Sequence, residues 1–166
     1  MDTQDESLIF DFKTQQNTTN WLVVNDGVMG GLSKGSMSMN DAGNGLFSGS
    51  VTTENNGGFS SVKYGFSIKD VSRFKSVKLR VKGDGKTYQF RMKSDQTKEY
   101  SYVNEFQTSG DWEIITLPFA DFHGSFRGNK LGIPNYNGKL MEEVRFLIGN
   151  KRKEDFALEI ERIWLE

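Results

Sequence analysis

The sequence predicts an all-β fold, an antiparallel β-sandwich or jelly roll, and three observations carry that reading. Apolar and polar residues alternate with a period of two through most of the chain, as half-buried strands require. Turn residues tolerant of positive φ separate these runs, with 18 Gly against only 2 Pro supplying most of the punctuation. No long segment repeats its apolar residues at helical spacing. About ten short strands divided by such turns are what a sandwich or jelly roll contains.

The strands follow in order. LIFDF (8–12) opens the series, then SKGSMSMN (33–40), GLFSGSVT (45–52) and FSSVKYGF (59–66). SVKLRVKG puts Val77, Leu79 and Val81 on one face and Lys78, Arg80 and Lys82 on the other. TYQFRMKS sets Tyr88, Phe90 and Met92 against Gln89, Arg91 and Lys93 in the same way. EYSYVNEFQ, WEIITLPF, EVRFLIGN and FALEIERIWL complete the set. Turns are expected at Asn25-Asp26-Gly27, Asp41-Ala42-Gly43, Asn55-Asn56-Gly57-Gly58, Gly83-Asp84-Gly85, Ser109-Gly110-Asp111 and Asn137-Gly138. Residues 120–140 form the longest irregular stretch, long enough to be a functional loop.

With 166 residues and neither a linker nor a repeat, the chain reads as one domain, 1–166, with residues 1–7 as a flexible N-terminal tail. Thirteen Phe and three Trp offset a modest 36% hydrophobic content. A net charge of −1 argues against a disordered chain and against a nucleic-acid partner. The absence of Cys excludes disulfides and thiolate metal sites, and a single His argues against zinc. No metal and no cofactor are expected. No basic, apolar leader opens the chain, and no apolar run approaches the ~20 residues of a membrane helix. The expectation is a cytoplasmic protein without membrane insertion. Asn17-Thr18-Thr19 matches a glycosylation sequon and is read as chance.

Catalytic constellations are weak. His123 in DFHGSFRG would need Asp121 or Ser125 beside it, and it reads better as a loop histidine with local hydrogen bonds. The strand carboxylates Glu54, Glu105, Glu113, Glu142, Glu143, Glu159 and Glu161 include no pair that the sequence places across a cleft. The glycine-rich VNDGVMGGLSKG (24–35) is neither a phosphate loop nor a dinucleotide fingerprint. It is either a pair of tight turns or a backbone-lined rim where Asp26 and Ser33 approach a partner. Most aromatics alternate with aliphatics and belong to the core. Tyr136, in the irregular stretch, is the one expected to be exposed. Residues 69–93 hold nine basic and two acidic side chains. They form either solvated strand faces or a basic sheet face that meets an acidic partner.

WLVVNDGVMGGLSKG followed by GLFSGSVTTENNGGFSSVKY resembles the complex I intermediate-associated protein 30 family. RVKGDGKTYQFRMK, YVNEFQTSGDWEIITLPFADF, FRGNKL and FLIGNKRKEDFALEIERIWL continue the resemblance over nearly the whole chain. The family implies a galactose-binding-domain-like jelly roll and a non-enzymatic role in assembling respiratory NADH:ubiquinone oxidoreductase. Without a transit peptide, the chain looks like a bacterial single-domain member. Asp26, Gly27, Met29, Gly30, Gly31 and Ser33 match the first motif. Glu54, Asn56, Gly57, Gly58 and Phe59 match the second. Arg80, Gly83, Asp84, Gly85, Tyr88 and Arg91 match a central hairpin, and Arg127 with Gly128 a late loop. The resemblance brings no catalytic residues.

Binding is therefore expected at Asp26, Ser33, Glu54, Arg80, Arg91, Arg127 and Tyr136. Arg80 and Arg91 are expected on the polar face of neighbouring strands, where their forks suit carboxylates. Asp26 and Glu54 would be their partners, or the four would form an internal ion-pair network. A protein partner and an assembly role lead. A carbohydrate-binding module is the alternative, and a hydrolase or lyase comes third.

Overall fold

The computed structural model describes residues 6–29, 31–54 and 58–166. Residues 1–5 of the expected tail, and the motif residues Gly30, Asn56 and Gly57, lie outside the described residues. Among those described, thirteen strands form two antiparallel sheets.

The first sheet runs β3 (Lys34–Met39), β4 (Gly45–Val51), β13 (Glu154–Leu165), β6 (Ser76–Lys82), β9 (Trp112–Pro118). Twelve residues make β13 long enough to pair with β4 through its first half, with β1 (Leu8–Asp11) near its end, and with β6. The second sheet runs β11 (Asn129–Lys130), β10 (His123–Phe126), β8 (Ser101–Gln107), β7 (Thr87–Lys93), β12 (Leu140–Ile148), β5 (Ser60–Asp70), β2 (Trp21–Asn25).

Alternation builds the core directly. Leu79, Val81, Phe47, Leu158 and Ile160 point inward from the first sheet, and Phe90, Met92, Val62, Val144 and Phe146 from the second. All ten are fully buried. An aromatic cluster closes one end, where a single helical turn, α1 (Phe12–Gln15), buries Phe12 against Phe10 and Trp21 at centroid distances of 4.5 and 5.7 Å. Asp11 caps that turn by accepting from the Lys13 N–H at 2.9 Å.

Three expectations are corrected here. The central hairpin is a crossover between sheets, because β6 pairs with β9 and β13 while β7 pairs with β8 and β12. Arg80 and Arg91 therefore stand on opposite outer faces of the molecule. Tyr136 is 4% exposed, because its ring packs on Phe119 and Tyr102 and its hydroxyl donates to the Leu140 carbonyl. The stretch 120–140 is partly ordered by β10 and β11, each too short to leave a sequence period. At the chain start, the Ser7 carbonyl accepts from the Leu165 N–H at 2.6 Å and Glu6 pairs with Arg73. Among the described residues no helix is long and apolar enough to cross a membrane.

Candidate binding face

The outer face of the seven-stranded sheet carries the densest unusual chemistry. In β7 the inward set is Tyr88, Phe90 and Met92, which turns Gln89, Arg91 and Lys93 outward. In β12, Val144 and Phe146 point inward, so Glu143, Arg145 and Leu147 share that outer face. In β5, Val62 and Tyr64 oppose Ser61 and Lys63. Strand register aligns these residues into one rung of directly opposed positions, Leu22, Lys63, Arg145, Arg91, Val103 and His123. Neighbouring strands lie about 5 Å apart, so three cations stand side by side.

The long side chains of this face lie over a sunken floor. Ser61 is fully buried, and Ser101, Val103, Ser125, Glu143 and Leu147 are each buried. A cavity of about 200 Å³ opens beside them, lined by Phe59, Gln89, Arg91, Arg127, Gly128, Leu147 and Gly149.

Charge on this face is poorly balanced. Glu143 lies 3.9 Å from the Lys63 amine and 4.0 Å from the Arg145 Nε. The second distance is too long for a hydrogen bond, and the buried Arg145 Nε finds no acceptor among the described residues. Arg145 otherwise reaches the Ser61 hydroxyl at 3.4 Å through Nη1. Arg91 donates from Nε and Nη2 to Gln89 Oε1 at 2.9 and 2.7 Å. Among the described residues Arg91 forms no ion pair. Burial, with Arg145 adding repulsion, pulls the Arg91 guanidinium down to about 10. Burial also lowers Arg145, against the attraction of Glu143. Lys93 is lowered mainly by burial, with Arg145 and Lys63 adding to that and Glu143 opposing it.

Of the residues expected at a site, Arg91 and Arg127 come together at this cavity. Arg127 sits in the left-handed region at φ 50°, with its guanidinium 5.2 Å from the Phe126 ring centroid. Arg80 is on the far face, paired with Glu161 at 3.2 Å and lying 5.2 Å from the Trp112 ring centroid. Glu54 is exposed and, among the described residues, pairs with neither arginine. Tyr136 is in the core.

Asp26 and Ser33 are buried and tie the two glycine motifs together. Asp26 accepts from the Ser33 N–H at 2.9 Å, from the Ser33 hydroxyl, from the Gly58 N–H at 2.6 Å and from the Phe59 N–H at 3.2 Å. Ser33 Oγ in turn accepts from the Thr52 N–H at 3.0 Å. Burial raises the Asp26 carboxyl, but these hydrogen bonds outweigh it and hold the group below the ordinary carboxylate value. Asp26 reaches this face indirectly, by fixing Phe59 at the cavity wall.

Sequence reasoning missed Lys63, Gln89, Glu143 and Arg145 as members of one site. The alternation in FSSVKYGF and EVRFLIGN does assign Lys63 and Arg145 to outer faces. Only the pairing of β12 with both β5 and β7 makes those faces the same one. His123 extends the rung, and among the described residues it bonds neither Asp121 nor Ser125. No group of three or more His, Cys, Asp or Glu among the described residues is placed to hold a metal.

Comparison with known proteins follows the same lines. A family model described as Complex I intermediate-associated protein 30 matches residues 10–160. The mitochondrial protein of that name from Drosophila melanogaster is 24% identical over 187 residues, covering 96% of this chain and 62% of its own length. The one from Mus musculus is 22% identical over 182 residues, covering 94% and 55%. The chain thus spans less than two thirds of these curated relatives. Among solved structures, a family 11 carbohydrate-binding module from Clostridium thermocellum, in complex with a β-1,3-1,4-mixed-linked tetrasaccharide, superposes with a TM-score of 0.67. It is 18% identical, with coverage of 96% of this chain and 94% of the module. A structure described as CBM4 gives a TM-score of 0.53 at 12% identity, covering 98% and 96%. These likenesses show a shared jelly-roll fold.

Proposed function

The chain belongs to the complex I intermediate-associated protein 30 family, and from that premise we propose that it is a non-enzymatic binding domain. It engages a protein partner, in the manner of an assembly factor, through the outer face of the seven-stranded sheet. One observation carries the choice of face: Lys63, Arg145 and Arg91 stand side by side in a recess with Glu143 as their neighbouring carboxylate. A fold retains such an arrangement against its cost when a partner completes it. A glycan ligand, the other use of this fold, is less well supported. At the centre of the rung, Lys63, Arg145 and Arg91, with their neighbours Val24, Ser61, Leu147, Gln89 and Glu105, offer no aromatic ring on which a sugar could stack, and the rings at its margin are His123 and Phe59.

The test compares partner capture from the native cell by the parent, Arg91→Ala and Arg80→Ala. Arg91→Ala is expected to lose partners that Arg80→Ala keeps, with both variants folded by circular dichroism. Equal capture by all three would overturn the choice of face. Heat on titrating the mixed-linked tetrasaccharide into the parent, absent with Arg91→Ala, would replace the protein partner with a glycan.

A further inference from the structure

We propose that the occupant of this face is an acidic, partly apolar peptide segment, and that carboxylates of that segment lie across Arg91 and Arg145. This rests on the reading of the face as the binding surface and names the chemistry that it selects. Arg91 and Arg145 are directly opposed across β7 and β12. Like charges at such positions repel, and burial strengthens the repulsion. Among the described residues the pair retains unused donor capacity, since Gln89 takes two of the Arg91 bonds and the Arg145 Nε finds no acceptor. Planar guanidinium forks match carboxylate oxygens two at a time. A carboxylate entering from outside would satisfy those donors and cancel the repulsion together.

The rest of the rung favours a peptide over a nucleic acid or a sulfated glycan. Polyphosphate backbones are bound by many solvent-facing cations. Here Glu143 and Glu105 share the face with the cations and oppose a continuous polyanion. At the end of the same rung, on the edge strand β2, Leu22 is 57% exposed. Discrete carboxylates with an apolar residue beside them fit this sequence of groups, Leu22, Lys63, Arg145, Arg91.

The test uses the full chain and two probes, a short peptide of alternating Asp and Gly and its counterpart of alternating Asn and Gly. Arginine Nε–Hε resonances are followed by NMR, and affinity is measured by calorimetry. The Asp peptide is expected to shift Arg91 and Arg145, to leave Arg80 unmoved, and to bind at least about tenfold more tightly than the Asn peptide. Raising salt from about 0.1 M to about 1 M should erase most of that difference. Arg91→Gln with Arg145→Gln should abolish the binding, and Arg80→Gln should not. If the double variant fails to fold, the contrast between the two peptides on the parent decides alone. Equal binding of both peptides would overturn the acidic specificity while leaving the face as a binding surface. No response to the Asp peptide, with a sulfated oligosaccharide shifting the same two arginines, would overturn the peptide class only. A partner captured equally well by the double variant would overturn the choice of face itself.

Discussion

Asp26 shows how one side chain can support the proposed binding face without touching it. Its carboxylate accepts from Ser33, and from Gly58 and Phe59 across 32 and 33 residues of chain, so two glycine-rich segments are closed by one buried group. Asp26→Ala leaves the amides of Ser33, Gly58 and Phe59 without that acceptor, and should cost on the order of 3 kcal/mol in a denaturant melt. The pH dependence has a definite sign. The folded-state value lies below the ordinary 3.8, so the unfolded chain takes up the proton first as pH falls. The carboxylate's stabilisation is complete above 3.8 and is lost as pH drops through the folded value. Melting temperatures recorded from neutrality down past 3.8 should therefore fall more steeply for the parent than for Asp26→Asn. Parallel acid limbs would show that the hydrogen bonds do not hold the charge. In the sequence the motif reads as a pair of tight turns or as a backbone-lined rim where Asp26 and Ser33 approach a partner. That the acid points inward depends on residue 26 meeting residues 58 and 59, which no local pattern contains.

At the scale of an element, the β6–β7 crossover decides where the charges go. Gly83 sits against the Thr108 side chain, with no room for a Cβ. Gly85 adopts φ 83° in open space. Between them Asp84 accepts from the Ala157 N–H at 2.8 Å and from the Tyr88 hydroxyl at 3.0 Å, pinning the crossover to β13. Burial, helped by Asp84, pushes the Tyr88 phenol above its ordinary value. The two glycines should fail for different reasons. Gly85→Val pays backbone strain of about 1–3 kcal/mol. Gly83→Ala, a smaller change, should cost at least as much, because Thr108 must move and it also accepts the Gly85 N–H. Thermal melts of the two variants check this, and a silent Gly83→Ala would mean the contact yields easily. Alternation correctly assigned residues 77–82 of β6 and 88–93 of β7 to their faces. It could not say that the two strands belong to different sheets, because the same glycines and aspartate would serve a hairpin equally well. WLVVN escaped notice as a strand for the opposite reason. As an edge strand it exposes Leu22 and leaves Val23 and Val24 half-buried, so no clean period appears.

For the molecule as a whole, the crossover divides the basic stretch 69–93 between two outer faces with opposite energetic characters. On the six-stranded sheet, Arg80 is compensated by Glu161 and lies over Trp112, and its side chain is 39% exposed. On the seven-stranded sheet, Arg91 is half-buried beside Arg145 with a neutral Gln89 as its partner. The same substitution should then act with opposite sign on the two faces. Arg80→Gln removes an exposed ion pair and a ring contact, and should lower stability by about 0.5–1 kcal/mol. Arg91→Gln strands no carboxylate, since Glu143 keeps Lys63 and Arg145. It relieves a like-charge contact between opposed strand positions, and should leave stability unchanged or raise it by about 0.5 kcal/mol. An arginine whose removal stabilises the free protein while abolishing ligand binding is one kept for recognition, in the usual exchange of stability for function. Denaturant melts of the two variants beside the parent decide it. A loss of several kcal/mol in Arg91→Gln would mean that the charged, half-buried guanidinium holds the sheet together through its bonds to Gln89, and the recess would then be a structural feature of the sandwich.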